Sequence, residues 1–481
     1  MEWPAGLMIA PADWEQTPVS VQIAVTLQWN EIRGLKQQVA KMEAEMNHLK
    51  EHLYKNSQNS SKPPSSDGPE TPARPKTEPS GRKPGGQKGH RGHGRKLKPS
   101  GQVQRIVVCK ADTCQDCGAL LLGDDPDPQR HQVCEMPHPE AVVTEYQLHT
   151  LTCLACGAQT SGEWPQGMPS GSFGPRTQAM VSYLGGRFGL SQRDIPELME
   201  VGFGIHMSLG SVPAQEQAVS AALKTPVEEA LDYVQQQASA NADETSWHEQ
   251  GEITWLWVGA TSLVTAFLLL ATRGAEGAKR LLGEQFAGIL GSDRWTAYAG
   301  FDPERRQVCW APLKRDFQAI FERGGESQVI GRLLLQQTCL LFHHWHRVRD
   351  GTLSRTDFIV LVGPIRKEVR NLLTIGGLSN QAPTRRTCAN ILKIEPALWT
   401  FVTHAGVEPT NNAAERPLRR GVLWRKRCDG TQSQAGSQFV ERILTTVLTL
   451  RQQNRDVLEF LTQACLAKNG AAHMPSLLPT N

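Results

Sequence analysis

The sequence predicts a multidomain α/β protein, and three observations carry that prediction. From Ile32 to Leu53 the apolar residues fall at Ile32, Leu35, Val39, Met42, Met46, Leu49 and Leu53, steps of three and four that make a heptad seam. Cysteines then recur as Cys114-x-x-Cys117 and Cys153-x-x-Cys156. From Ser239 onward, β-branched and aromatic runs interrupted by one short amphipathic segment replace helical periodicity. The expected order is a coiled coil over 20–54, a basic linker over 55–100, a four-cysteine metal module over 101–165 and a helical region over 170–238. An α/β core follows in two parts, 239–324 and 406–470, separated by a helical insertion over 325–405.

A chain of 481 residues with 39% hydrophobic and 21% charged residues has enough apolar material for several cores. The formal net charge is only +3, so the total does not announce a polyanionic partner. The distribution does. Residues 74–98 carry nine Lys and Arg, among them Arg82, Lys83, Lys88 and Arg91, against the single acid Glu78. Residues 416–427 carry Arg416, Arg419, Arg420, Arg425, Lys426 and Arg427 and no acid. Such local patches suit a nucleic-acid backbone. The eleven cysteines are an odd number, and no secretory signal precedes them. A reducing, cytoplasmic setting with a metal site therefore fits better than a disulfide framework. The uncharged run Ile253 to Ala271 is nearly long enough for a membrane span. It breaks at Gly259-Ala260-Thr261-Ser262 and is rich in Trp, Val and Thr, so it reads as two buried strands joined by a turn.

The heptads are expected to hold two or more chains together, because the following segment offers no core against which one helix could pack. That segment, rich in Ser, Pro, Gly and Lys/Arg, cannot fold alone. Its Gly81-Arg82-Lys83-Pro84-Gly85-Gly86 has the make-up of an arm reaching DNA phosphates, or of a solvated linker. In the cysteine pairs, Gly118 and Gly157 follow each second thiol, and two such knuckles supply the four sulfurs that structural Zn²⁺ prefers. The 35 residues between the pairs require strands such as Ala141 to Leu151 to bring them together. Within 170–238, Ser191 to Val212 reads equally as a helix-turn-helix or as a plain connector.

The core begins with Ala240-Asn241-Ala242-Asp243-Glu244-Thr245, followed by a hairpin from Trp255 to Ala271. A helix from Ala275 to Phe286, a strand from Ala287 to Gly291 ending at Ser292-Asp293, and a strand from Gln307 to Ala311 complete it. Three meandering strands, a helix and two more strands match a ribonuclease-H-like architecture. There Asp243 and Asp293 share one rim of the sheet, and paired carboxylates call for a hard divalent cation. Glu415 at a helix start is the candidate third ligand for Mg²⁺ or Mn²⁺. Asn412-x-x-Glu415 also reads as a capping box. In the insertion, Cys339, His343 and His346 share one helix face, but no carboxylate or second cysteine pair joins them, and packing is the reading taken.

The segment Glu408-Pro409-Thr410-Asn411-Asn412-Ala413-Ala414-Glu415-Arg416, then Trp424-Arg425-Lys426, Gly430-Thr431-Gln432-Ser433 and Phe439-Val440-Glu441-Arg442, resembles the transposases of the insertion-sequence-66 family. Asp243-Glu244-Thr245, Ser292-Asp293, the heptads and the paired cysteine knuckles extend the resemblance over nearly the whole chain. It implies DDE-type chemistry, in which Asp243, Asp293 and Glu415 match the triad. The implied reaction is DNA cleavage at transposon ends and strand transfer into target DNA, beside accessory proteins of the same element. Two positions depart from the pattern. Pro312 stands where relatives carry histidine, and Pro417 falls two residues after Glu415, where a helix is propagating.

Overall fold

The computed structural model describes residues 10–54, 97–136 and 140–479. Helix α1 (Pro11–Glu15) leads into the long α2 (Val19–Tyr54). Its seam residues Ile32, Leu35, Val39, Met42 and Met46 are all exposed in the single chain. The basic arm with Arg82, Lys83, Lys88 and Arg91 lies outside the described residues.

Regular structure is sparse from 97 to 165. Strands β1 (Thr150–Thr152) and β2 (Gln159–Ser161) form a small antiparallel hairpin whose turn is the Cys153 knuckle. The expected strand from Ala141 to Leu151 is thereby corrected: among the described residues only its last two join a ladder, with His149 O accepting one further bond from the Gly162 N–H at 2.9 Å.

Four helices follow, α3 (Pro175–Tyr183), α4 (Asp194–Phe203), α5 (Ser211–Ala222) and α6 (Lys224–Gln235), with a π-helical turn at Leu184–Phe188 after α3. Val181, Leu184, Ile195, Met199, Met207 and Val212 pack into a small core of their own, so α3, α4 and the start of α5 form one helical unit.

The mixed sheet contains β3 (Ser239–Glu249), β4 (Glu252–Ala260), β5 (Thr265–Leu270), β6 (Ile289–Ser292) and β7 (Arg306–Val308), in spatial order β5-β4-β3-β6-β7. Strand β3 is central, antiparallel to β4 and parallel to β6. The uncharged run is two strands, as its composition demands; at the turn, the Thr261 N–H donates to Val264 O at 2.8 Å and the Thr261 hydroxyl accepts from the Val264 N–H at 3.0 Å. Among the described residues, no helix is long and apolar enough to cross a membrane. Helix α7 (Ala275–Leu282) supplies the crossover between β5 and β6.

After β7 the chain turns helical sooner than the sequence suggested. Helix α8 (Trp310–Glu322) begins where a strand was expected to continue to Ala311. Trp310 is drawn into the neighbouring helical block, where its indole N–H donates to Leu398 O at 2.8 Å and its ring meets Trp399 edge-on. Pro312 therefore falls in the first turn of α8, where its missing N–H has no intrahelical partner to lose. Helices α9 (Gly325–Arg349), α10 (Arg355–Gly376), α11 (Ala382–Leu392) and α12 (Thr400–Thr403) pack with α8 around a separate apolar core that includes Phe317, Leu334, Phe358, Val369 and Phe401.

The chain returns to the sheet through α13 (Asn412–Cys428), α14 (Gln434–Gln452) and α15 (Val457–Lys468). Leu256, Val258 and Phe267 on one sheet face pack on Ala414 and Leu418 of α13 and on Val440 and Leu444 of α14. The other face, with Ala240, Ala242, Trp257 and Leu290, packs on α6 and α7. Helix α14 also closes the open edge of β5. Thr449 Oγ1 accepts from the Thr265 N–H at 3.1 Å, Thr445 Oγ1 accepts from the Phe267 N–H at 2.9 Å, and Glu441 accepts from the Leu269 N–H. Side chains four apart on a helix rise about 6 Å and N–H groups two apart on a strand about 6.6 Å, so the two repeats stay in step. An edge that would otherwise recruit another strand is covered in this way. Burial at that edge pushes the Glu441 carboxyl up to about 7.

Candidate active site

Strand β3 alternates its faces. Ala240, Ala242 and Glu244 lie on the α7 side; Asn241, Asp243 and Thr245 lie on the side covered by α13. The parallel ladder with β6 pairs Ser239 with Ile289, Ala240 with Leu290 and Asn241 with Gly291. Continued by two residues, that register sets Asp243 opposite Asp293, just beyond the last paired residue of β6.

Helix α13 brings the third acid. Its N-cap is Asn411, whose side chain makes no capping bond. Instead the Asn411 amide donates to Ala242 O at 2.8 Å, and its carbonyl accepts from the Asn241 side chain at 2.8 Å. The Asn411 backbone N–H reaches Cys309 Sγ at 3.2 Å. The helix start is thus tied to β3 one residue from Asp243, and Glu415 stands in the first turn. The capping-box alternative is not realised, because the helix starts at Asn412 rather than after it. Pro417 sits inside α13, and the helix runs on past it to Cys428. Its ring removes the one bond that its N–H would give Ala413 O.

The three carboxylates feel one another. Burial, then Glu244, then Asp293 push the Asp243 carboxyl well above the usual range, with a smaller contribution from Glu415. Crowding by protein raises Glu415 as well; Arg315 on α8 opposes the rise and Asp293 adds to it. Among the described residues no basic side chain comes within ion-pair distance of Asp243. A half-buried carboxylate with like charges around it and no cation beside it suits a hard divalent ion. The metal-free side chains do not form a finished cage: among the described residues, no three Asp, Glu, His or Cys groups are gathered closely enough to hold an ion. Asp243 and Asp293 each turn one oxygen onto backbone, the Glu244 N–H at 2.9 Å and the Trp295 N–H at 2.8 Å. Cys339, His343 and His346 likewise form no metal group.

Around the rim is a frame that the sequence did not reveal. Glu244 faces away from Asp243 and accepts from Tyr298 Oη at 2.7 Å and from Arg273 Nε at 3.1 Å. Arg273 in turn is held between Trp295 and Trp255, 4.0 and 4.6 Å from the ring centroids. Buried Arg306 donates to Ser292 Oγ, Tyr298 O and Asp293 O, pinning the turn that carries Asp293. Burial lowers its guanidinium to about 10. Only the adjacency of Glu244 to Asp243 was visible in sequence. Arg425 is taken up internally, donating to Ser246 O and Ser246 Oγ on β3. Arg416 and Lys426 are exposed.

Asn411→Ala is expected to leave Ala242 O and the Asn241 amide without partners in a buried setting. The cost is about 1–3 kcal/mol of stability, and any activity of the site falls with it because Glu415 loses its anchor. A melting curve beside the parent checks the first part, and an unchanged midpoint defeats it.

The two cysteine pairs form matching knuckles. Cys114 N–H donates to Ala119 O at 2.8 Å, and Cys153 N–H donates to Ala158 O at 2.8 Å. Gly118 and Gly157 both adopt φ of +74°, which a side chain would disfavour, and return a bond to the first cysteine. In each pair, backbone N–H groups and the second thiol lower the first thiol's pKa. The two knuckles are not joined into a four-sulfur group.

Comparison with known families now defines the class. A model of DNA-transposing enzymes, described as the Transposase IS66 family, matches residues 170–439, more than half the chain and all of the sheet and its carboxylate rim. The chain belongs to the IS66 transposase family. A second model, described as a Family of unknown function (DUF6444), matches residues 15–96, the long helix and the basic arm. No curated protein matches the chain.

Proposed function

We propose that this transposase cuts DNA at the ends of its element and joins the freed end to target DNA, with Asp243, Asp293 and Glu415 as the reacting centre. The observation that supports this best is the convergence of the parallel register of β3 and β6 with the anchored start of α13 on one rim. The strand order β5-β4-β3-β6-β7 is the one expected of a ribonuclease-H-like core. We read 239–324 and 406–470 as its two parts and 325–405 as the insertion, with α8 at the end of the first part sharing the apolar core of α9–α12.

Bound Mg²⁺ or Mn²⁺ would polarise a phosphodiester and lower the pKa of the attacking water or 3′-hydroxyl. The chain's own residues hold and aim that chemistry. Asp243 supplies charge from a partly buried strand position, where it is worth more than in water. Arg306 fixes the backbone beneath Asp293, and Asn411 fixes the approach of Glu415. Exposed Arg416, beside Glu415, and Lys426, farther along α13, would neutralise phosphates of the bound DNA. Removing Lys426 should then weaken DNA binding and flatten its salt dependence.

The test is a cleavage and joining assay on the element's own terminal sequences with Mg²⁺ or Mn²⁺, run with the accessory proteins present. Cleavage without joining of precut ends would reduce the enzyme to a nuclease. DNA binding without any cleavage would leave a regulator of the same family.

The exposed seam of α2 supports self-association, since burying five large apolar side chains against a second copy removes them from water. Val39→Asp with Met46→Asp is expected to separate the chains, because charge at a seam position is costly to bury. Light scattering reads the result: the same mass for variant and parent rules out the seam as the contact.

A further inference from the structure

A cavity of about 860 Å3 lies apart from the carboxylate rim. It lies between the π-helical turn after α3, the start of α4, and the far end of α13 with the Gly430–Ser433 loop. Its charged lining is Arg187, Arg193, Arg420 and Arg427 against Asp194 and Glu216. Burial pushes Glu216 up to about 7, so near neutral pH it is only partly ionised and the lining is strongly cationic. Its Oε2 accepts from the Gln192 amide at 3.1 Å.

The arginines are poorly compensated. The Arg187 Nε is buried with no hydrogen-bond partner among the described residues. Burial and the charges of Arg420 and Arg451 both disfavour its ionised form. Arg427 donates to Phe188 O and Gly189 O at 3.0 Å, and Arg187 lies over the Phe188 ring, 5.7 Å from its centroid. The glycines of Leu184-Gly185-Gly186-Arg187-Phe188-Gly189 make this approach feasible. A Cβ on Gly189 would lie 2.1 Å from Arg427 Nη1, and one on Gly186 would lie 2.3 Å from Ile443 Cγ1. Gly189 also adopts φ of +69°. The turn is therefore packed tightly against α13 and α14, and its Arg187 lines the cavity.

Helix α13 links this space to the rim. Arg416, Arg420 and Arg427 are separated by four and seven residues and share one helix face. From Glu415 to Arg427 the helix rises about 18 Å, roughly five base-pair steps of duplex DNA. Exposed Phe188 and Leu423 add apolar surface beside the charges.

We propose that this cavity is a phosphate-binding site for a DNA strand, in which Arg187, Arg193 and Arg420 seat a backbone phosphate apart from the reacting centre. Guanidinium forks match phosphate oxygens in pairs, and a seated anion relieves the repulsion among them. The proposal rests on the reading of the chain as a DNA-processing enzyme, but it concerns binding and requires no metal.

The test uses the full-length protein without added Mg²⁺ or Mn²⁺, with a fluorescein-labelled duplex oligonucleotide of the element's end read by anisotropy across a salt titration. Arg187→Ala with Arg420→Ala is expected to reduce the slope of log affinity against log salt by about one to two. Arg187→Lys with Arg420→Lys should retain most of the slope, since lysine still offers a point charge to a phosphate. If the alanine pair fails to fold, Arg193→Ala, exposed and outside the packed turn, must lower the slope by about one on its own. An unchanged slope in a folded alanine variant overturns the site. So does loss that lysine fails to rescue, or salt-independent binding by the parent. A parent that binds with the expected slope but never cleaves defeats the catalytic reading and leaves this one standing. A parent that cleaves while the arginine variants bind unchanged defeats this one alone.

Discussion

Asp243→Asn is expected to abolish metal-dependent cleavage and joining while making the metal-free protein more stable. The two effects have one origin. Asp243 is crowded by Glu244, Asp293 and Glu415 with no cation beside it, so its ionised form is unfavourable in the folded chain. Asparagine keeps the shape and removes the charge, which relieves the repulsion and deletes an oxygen donor that a divalent ion requires. Activity should fall by roughly a thousandfold or more, the scale on which one member of a cooperating set is lost. Asp293→Asn and Glu415→Gln should do the same to activity, and a double variant should be little worse than a single one.

The sign of the pH dependence follows. The folded-state pKa of Asp243 lies above its unfolded value, so its neutral form favours the fold. That contribution is fully present below the unfolded aspartate pKa near 4 and is lost as pH rises through the raised folded value. The metal-free parent should therefore lose stability over that interval, and Asp243→Asn should lack this component of the slope. Mg²⁺ or Mn²⁺ should reverse the order of the melting temperatures. A ligand at a hundred times its Kd adds about 2.7 kcal/mol to the parent and nothing comparable to the variant. Equal metal-induced shifts in parent and Asp243→Asn would remove Asp243 from the metal site. Substantial activity in Glu415→Gln would remove Glu415.

The hairpin strands β4 and β5 were legible because they are rich in β-branched, aromatic and aliphatic residues and are bounded by turn residues. The uncharged run from Ile253 to Ala271 is the clearest case: Thr261 and Ser262 interrupt it where the structure turns. Placement of Asp243 beside Asp293 was legible through topology, since parallel strands in fixed register carry sequence spacing into space. What escaped was long-range and polar. Nothing in the period of α14 shows that Glu441, Thr445 and Thr449 would serve the edge of β5, because that depends on a helix and a strand brought alongside from opposite ends of the core. Asn411 looked like half of a capping signal, yet its amide is spent across the interface on Ala242. Trp310 looked like strand residue because it is aromatic and follows one. The pull of Leu398 and Trp399, almost ninety residues later, made it the first residue of a helix. The arginine cavity escaped for the same reason. Its two walls are more than two hundred residues apart, and the glycines between Leu184 and Phe188 weaken any local pattern.

Zinc is expected to do for residues 97–165 what hydrophobic burial does for the sheet. That segment has almost no apolar core of its own: Val107, Leu122, Val142, Val143, Leu151 and Leu154 are all exposed. It has instead two knuckles of matching geometry, each with a positive-φ glycine and a first thiol whose pKa is lowered by neighbouring N–H groups. A thiolate is the form that binds metal, so each knuckle is preset for one half of a tetrahedral site. Joining Cys114, Cys117, Cys153 and Cys156 on one Zn²⁺ closes a loop of some thirty-five residues. Structural zinc sites of this kind contribute about 10–16 kcal/mol of apparent binding energy at neutral pH, enough to order a segment that lacks a core. Purified protein should therefore carry one zinc per chain. Cys153→Ser should lose it, and protease cleavage within 97–165 should become fast while the sheet's melting transition stays in place. Acidification should release the metal as the thiolates protonate, with no comparable effect in the serine variant. A zinc-free preparation in which this segment resists protease as well as the parent does would show that the knuckles are held by something other than metal.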